Sequence, residues 1–159
     1  MDNLIYKDPK EIGDFSPEAE AALRIVQEEL KSWESHDLDR LLTVMDENII
    51  YHDVTLPPAK GHAGLRAFGE GWLAAAPDFA VPVEKFIVQG NTVVTMGRIT
   101  GTITAGFFGQ PAPNKAFDCM YAQVAVVRNG KIVYVRDHWD SATMMRQMGW
   151  LQDQPEDAS

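Results

Sequence analysis

Val133-Tyr134-Val135-Arg136-Asp137-His138-Trp139-Asp140 sets one carboxylate on an otherwise apolar strand face. Side chains alternate along a strand, so Val133, Val135, Asp137 and Trp139 share one side while Tyr134, Arg136 and His138 share the other. A carboxylate beside two valines and a tryptophan bears a desolvation cost unless something binds or neutralises it. In an apolar pocket its pKa rises towards values useful for proton transfer. A structural aspartate held in an ion pair, or a wet strand end, fits the same pattern, because ion-pair networks also hold buried acids.

Outward from this stretch, Arg128-Asn129-Gly130-Lys131 is a two-strand turn signal. It joins a strand over Phe117 to Val127 to the strand Ile132 to Trp139. Upstream, period-2 patterning predicts strands over Val81 to Val88 and Thr92 to Thr104, separated by a Gly90-Asn91 turn. Before these the period is helical. Ser16-Pro17-Glu18-Ala19 reads as an N-cap with proline at the first helical position, and Ala22, Ile25, Val26, Leu30 and Trp33 follow at helical spacing to about Ser35. Asp37 caps a short second helix with Leu38, Leu41, Leu42 and Met45, and Ile49 to Val54 is a strand. Leu56-Pro57-Pro58-Ala59-Lys60-Gly61 is loop, and Ala63 to Ala75 a third helix ended by Pro77. Helices followed by a meander indicate an α+β fold: a curved antiparallel sheet packed on three N-terminal helices, enclosing an apolar cavity.

The chain has 159 residues, a formal net charge of −9 and 45% hydrophobic residues. This predicts one domain with a real core, residues 16–151, preceded by an extension over 1–15 and followed by an acidic tail, 152–159, read as disordered. The acidity argues against nucleic acid or an anionic membrane as the main partner. The single cysteine, Cys119, excludes an internal disulfide and suits a reducing compartment, and the polar start of the chain has no apolar signal region, so a cytoplasmic location is expected. His36, His52 and His62 show no paired ligand spacing, and no phosphate-loop pattern is present; neither metal nor cofactor is expected.

Ile49-Ile50-Tyr51-His52-Asp53-Val54 repeats the alternation puzzle, with Tyr51 and Asp53 on one face. A tyrosine hydroxyl two residues from a carboxylate can jointly hold a water or polarise a carbonyl. The order of helices, Tyr-x-Asp strand, Leu-Pro-Pro loop, helix and meander, then Val-Arg-Asp-His-Trp-Asp and Arg146-Gln147-Met148-Gly149, resembles the cone-shaped α+β fold of limonene-epoxide-hydrolase-like enzymes, ketosteroid isomerases and SnoaL-like polyketide cyclases. The likeness spans most of residues 20 to 150. It is more specific for the fold than for the reaction.

The resemblance implies roles residue by residue. Asp53 falls where the isomerases keep their general base and the epoxide hydrolases a water-holding asparagine; Tyr51 matches the hydrolases' water-holding tyrosine. Asp137 matches the hydrolases' base and the acid/base aspartate of the cyclases. Gln123 falls where isomerases place an oxyanion-stabilising acid, and Arg98 resembles the arginine that orients the hydrolases' carboxylates and is expected near Asp137. Where those hydrolases carry a second aspartate this chain has Thr100, far too weak an acid to protonate an epoxide. The segment from Gly101 to Pro111, followed by Asn114-Lys115, is closer to the cyclases, with Ile103 in place of their histidine. Trp139, Val135, Tyr121, Thr100, Trp33, Phe68 and Trp72 are the expected substrate-contacting residues.

Simpler readings stand beside these. Tyr51 suits a core aromatic, Asp53 a turn residue, Arg98 a structural counter-ion and Gln123 a satisfied interior amide. Asp140 reads as the N-cap of a final helix, and Cys119 as a small core residue. The leading expectation is a cofactor-independent acid/base enzyme on a small apolar or polycyclic carbonyl compound, a cyclase or isomerase. An epoxide hydrolase using an Asp137-activated water and a non-catalytic ligand-binding module are the alternatives. A homodimer is expected through the face that carries Tyr134, Arg136 and His138.

Overall fold

The computed structural model describes residues 2–152. A 3-10 turn, Leu4–Tyr6, and a single-turn helix α1, Pro9–Ile12, precede the first long helix α2, Pro17–Glu34. The stretch read as an extension is tied down: Gln27 Nε2 donates to the carbonyls of Leu4 (3.0 Å) and Lys7 (2.8 Å), and Ile5 is wholly buried. Ser16 Oγ accepts from the Ala19 amide and Pro17 opens α2, as the sequence indicates. Helix α3, Leu38–Thr43, is capped by Asp37, and α4 covers Gly61–Ala75.

The six strands are β1 (Met45–Asp53), β2 (Ala59–Lys60), β3 (Val83–Gln89), β4 (Thr92–Ile103), β5 (Lys115–Arg128) and β6 (Lys131–Trp139). Their order in one open sheet is β2-β1-β6-β5-β4-β3. The segment read wholly as loop before Gly61 thus contains a two-residue edge strand against β1. The meander β3 to β6 is antiparallel as expected, but β1 and β6 are parallel, so the sheet is mixed. The reason is connectivity: everything from α4 to β5 lies between the two strands in sequence, a crossover long enough to bring the chain back in the same direction. Register shifts in the β1–β6, β3–β4 and β5–β6 pairs mark irregular points at which a sheet bends and twists.

Helices α2 and α4 cover the concave face, α2 against β3 to β6 and α4 against β1. Burial alternates cleanly along β5, where Phe117, Cys119, Tyr121, Gln123, Ala125 and Val127 point inward. The final helix α5, Ser141–Met148, packs on β5 and is capped by Asp140, whose Oδ1 accepts from the Thr143 amide at 3.0 Å. Among the described residues no helix is long and apolar enough to cross a membrane. Of the tail read as disordered, residues 152–159, positions 153–159 lie outside the described residues.

Two glycines make opposite demands on the fold. A Cβ on Gly97 of β4 would collide with the backbone of Pro82 and Val83, where the chain enters β3, whereas one on Gly71 of α4 meets nothing within 4 Å. Gly97→Ala is therefore expected to cost about 1–3 kcal/mol, by forced backbone displacement. Gly71→Ala should stabilise the helix by about 0.5–1 kcal/mol. Urea melts of the two variants, differing in sign, check this.

Candidate active site

Sheet register assembles the site. Asp137 on β6 lies opposite Asp53 on β1 and Gln123 on β5, and Gln123 lies opposite Thr95 on β4. Asp53, Asp137, Gln123 and Thr95 thus form a polar row across four strands, all four buried. The next row on the concave face is apolar, with Tyr51 beside Val135 and Val135 beside Ala125; on the other side Trp139 pairs with Tyr121.

Aromatic rings build the walls. Helix α2 contributes Trp33 and α4 contributes Phe68 and Trp72, because these positions recur at three- and four-residue spacing on the faces turned to the sheet. Trp72 meets Trp139 at 5.5 Å and Phe79 at 5.6 Å, and Tyr51 meets Phe68 at 5.4 Å. Phe107 and Phe108, from the β4–β5 connection, add rings against Trp72 (4.7 Å) and Trp139 (6.3 Å). Between the walls lies a narrow cavity lined by Trp33, Tyr51, Phe68, Trp72, Phe79 and Trp139 with Val81, Ile99, Tyr121, Asp53 and Asp137, while Phe107 and Phe108 sit behind these rings. The space open to water centres is about 30 Å³. That holds about two waters, so a larger ligand must spread the rings.

Three carboxyl groups meet here in different surroundings. Asp137 is 7% exposed, and the Tyr121 hydroxyl donates to its Oδ1 over a long 3.5 Å. Desolvation pushes its pKa up to about 7, opposed by the donors Tyr51, Gln123 and Tyr121 and reinforced by the negative charge of Asp53. Asp53 is fully engaged: both oxygens accept from Trp139 Nε1 at 3.1 Å, and Oδ1 also accepts from the Thr55 amide (2.9 Å) and hydroxyl (2.6 Å). Glu29 on α2 is 0% exposed, accepts from Gln123 Nε2 at 2.7 Å, and is reached by the Tyr51 hydroxyl at 3.5 Å. Burial, then the nearby Asp137 charge, pushes Glu29 up to about 8. The same burial, with these carboxylates nearby, raises Tyr51 and Tyr121 well above the usual phenol range and keeps both hydroxyls as donors.

The expected residues divide accordingly. Asp137, Asp53, Tyr51, Tyr121, Trp139, Trp33, Phe68 and Trp72 come together around the cavity. Gln123 is buried beside Asp137 but does not line the cavity, and Val135 is buried core one step along β6. Arg98 is corrected outright: it lies on the outer face of β4 and pairs with Asp118, not Asp137. Thr100 shares that outer face and does not line this cavity. The strand offers Ile99 to the interior instead, so neither the orienting arginine nor any acid comes from β4, although Tyr51, Asp53 and Asp137 do meet at the cavity.

Sequence reasoning missed Glu29, Phe79, Val81, Ile99 and Thr95. For Glu29 a signal existed: Ala22, Val26, Glu29 and Trp33 fall at i, i+4, i+7 and i+11, an acid within an inward stripe. Cys119 is buried core, its thiol pushed up to about 11 by desolvation. Among the described residues no group of three or more His, Cys, Asp or Glu side chains is placed to hold a metal ion.

The raised pKa of Asp137 makes stability depend on pH with a definite sign. In the unfolded chain its carboxyl ionises near 3.8, in the fold near 7. Between these values the folded state holds more protons, so the contribution of Asp137 is fully present below about pH 4 and is lost as pH rises to about 7. Asp137→Asn cannot ionise. Its stability relative to the parent should therefore improve from about pH 4 to about pH 8, read from urea melts at both; a change in the opposite direction would mean a carboxylate stabilised by the fold.

No curated protein sequence matches the chain significantly. Its fold does match solved structures. A candidate SnoaL-like polyketide cyclase from Jannaschia sp. CCS1 superposes with a TM-score of 0.81 at 20% identity, covering 88% of this chain and 99% of that one. TsrD from Streptomyces laurentii gives 0.75 at 17% identity (87% and 100%), and IdmH from Streptomyces antibioticus, a candidate polyketide cyclase, gives 0.69 at 24% (80% and 98%). At these identities the likeness establishes the fold. The sequence model of the SnoaL-like polyketide cyclases matches residues 24–148, a span that holds every cavity-lining side chain named above, and the chain belongs to that family.

Proposed function

We propose that this chain is a cofactor-independent acid/base enzyme that abstracts a proton next to a carbonyl of a small apolar or polycyclic compound and holds the enolate for ring closure. The observation that carries this reading is Asp137, buried in an aromatic wall with its pKa near neutrality and two protonated tyrosine hydroxyls beside it. A base whose pKa lies near the working pH combines adequate ionisation with adequate proton affinity.

The reading assigns each step to one of these groups. The Asp137 carboxylate takes the carbon-bound proton, and the C–H electron pair moves into the carbonyl to leave an enolate oxygen. Tyr51 and Tyr121 donate to that oxygen in a site where water does not compete. The enolate carbon attacks a second carbonyl of the same molecule, a carbon–carbon bond forms, and the new alkoxide takes the proton back from Asp137. No electrons leave the substrate. Asp53, its lone pairs occupied by Trp139 and Thr55, fixes the indole that flanks Asp137, and its charge sustains the base's proton affinity. The aromatic walls favour a flat, apolar substrate.

Incubation with a panel of polycyclic β-keto esters, in deuterated and in oxygen-18 water, tests the reading. Exchange of the acidic carbon-bound hydrogen without oxygen incorporation is expected, slowed by about 10²–10⁴-fold in Asp137→Asn and by about 10²-fold in Tyr121→Phe. Oxygen-18 incorporation into product would assign hydrolysis instead, and absence of exchange with every probe would leave a binding module.

The outer sheet face presents Met96 and Met120, the latter 65% exposed, and we propose that two copies pair through it. Sedimentation at tens of micromolar should give a dimer, and Met120→Lys a monomer.

A further inference from the structure

Among the described residues Glu29 is the carboxyl that is wholly buried, and no donor around it carries a charge: Gln123 Nε2 donates to Oε1 at 2.7 Å, the Tyr51 hydroxyl reaches the same oxygen at 3.5 Å, and the Trp33 indole N–H, itself buried without a hydrogen-bond partner, lies near enough to lower its pKa. The other oxygen, Oε2, is buried without a partner, and so is Gln123 Oε1. Two acceptors are thus orphaned on two groups already joined by one hydrogen bond. Buried acceptors of this kind cost the full desolvation of each atom. A carboxylic acid and a primary amide have matching edges, one donor and one acceptor apiece, and a single proton on Oε2 satisfies both orphans at once.

We propose that Glu29 is a neutral carboxylic acid in the resting protein, paired edge to edge with the Gln123 amide, and that it acts as the positioning residue that fixes this amide beside Asp137. Gln123 and Asp137 face each other across β5 and β6, so an amide whose one edge is locked by Glu29 turns its remaining N–H towards the base. Helix α2 is thereby connected to the reactive carboxyl on the far side of the core. The groups that face this pair are Tyr51 and Asp53 from β1, Tyr121 from β5 and Asp137 from β6; every charge among them is negative, which favours a protonated Glu29. The consequence for turnover rests on the reading of Asp137 as base, but the state of Glu29 does not.

Infrared spectroscopy of the unliganded protein at pH 7 tests this without a substrate. A carboxylic-acid C=O band that shifts in deuterated water is expected in the parent and in Asp137→Asn, and one carboxyl equivalent of it should vanish in Glu29→Gln. Absence of the band from folded Asp137→Asn, or its retention when Glu29→Gln is added to that variant, overturns the proposal. The carboxyl carbon resonance of Asp137 supplies the positioning readout. Its titration midpoint should hold in Glu29→Gln, whose amide keeps a neutral partner for Gln123, and rise in Glu29→Leu, which frees Gln123; a fall in Glu29→Gln would mean that a negative charge had been removed. If Glu29→Leu does not fold, the band and the Glu29→Gln midpoint still decide. Should the band behave as expected while Asp137→Asn retains full exchange activity, the function proposed above fails and the state of Glu29 stands.

Discussion

The pairing of β6 between β1 and β5 is the constraint on which the site depends. Because side chains alternate with a period of two, one register places Asp53, Asp137, Gln123 and Thr95 in line on the concave face. A slip of one residue in β6 would instead send His138 and Arg136 into the core and Asp137 out to water. The flanking buried residues Val135 and Ile132 oppose that slip, since each would lose its burial. The same apolar contacts that hold the sheet together therefore fix the position of the acid.

Having forced a polar row inward, the fold treats its members differently. Asp53 has four donor contacts from Trp139 and Thr55, and Glu29 shares its hydrogen bonding with Gln123 and Tyr51, whereas the Tyr121 hydroxyl reaches Asp137 only over a long 3.5 Å. Close carboxyls in a medium of low dielectric cannot all carry charge, and differences in hydrogen bonding decide which one does. Of the two carboxyls that line the cavity, Asp53 is held by Trp139 and Thr55, which leaves Asp137 the less engaged. The aromatic shell from α2, α4 and the β4–β5 connection keeps water scarce, which maintains the effect.

Arg98 shows how a strand can be read in the wrong register. Likeness to relatives pointed it inward, yet the two faces of β4 differ plainly: Val93, Thr95, Gly97, Ile99 and Ile103 on one, Met96, Arg98, Thr100 and Thr102 on the other. The second set is the more polar, and the absence of room for a Cβ at Gly97 seats the first against the entry to β3. Alternation within the strand was the better guide. Glu29 was overlooked for the opposite reason, since a lone acid in a long helix ordinarily faces water, and only its phase with Ala22, Val26 and Trp33 sets it apart.

By itself the sequence determined the longer helices and strands, the caps at Ser16, Asp37 and Asp140, the α+β class, the inward phase of Asp137 and Trp139, and the shared face of Tyr51 and Asp53, because helix caps, turn chemistry and strand alternation act over a few residues. It did not determine that β1 runs parallel to β6, that Asp53 spends its lone pairs on Trp139, 86 residues away, or that Glu29 reaches Gln123, 94 residues away. Those depend on which strands become neighbours and how far α2 sinks into the sheet, and burial, hydrogen-bond supply and proton affinity are properties of such neighbourhoods. The tertiary structure alone decided how differently the three acids are surrounded.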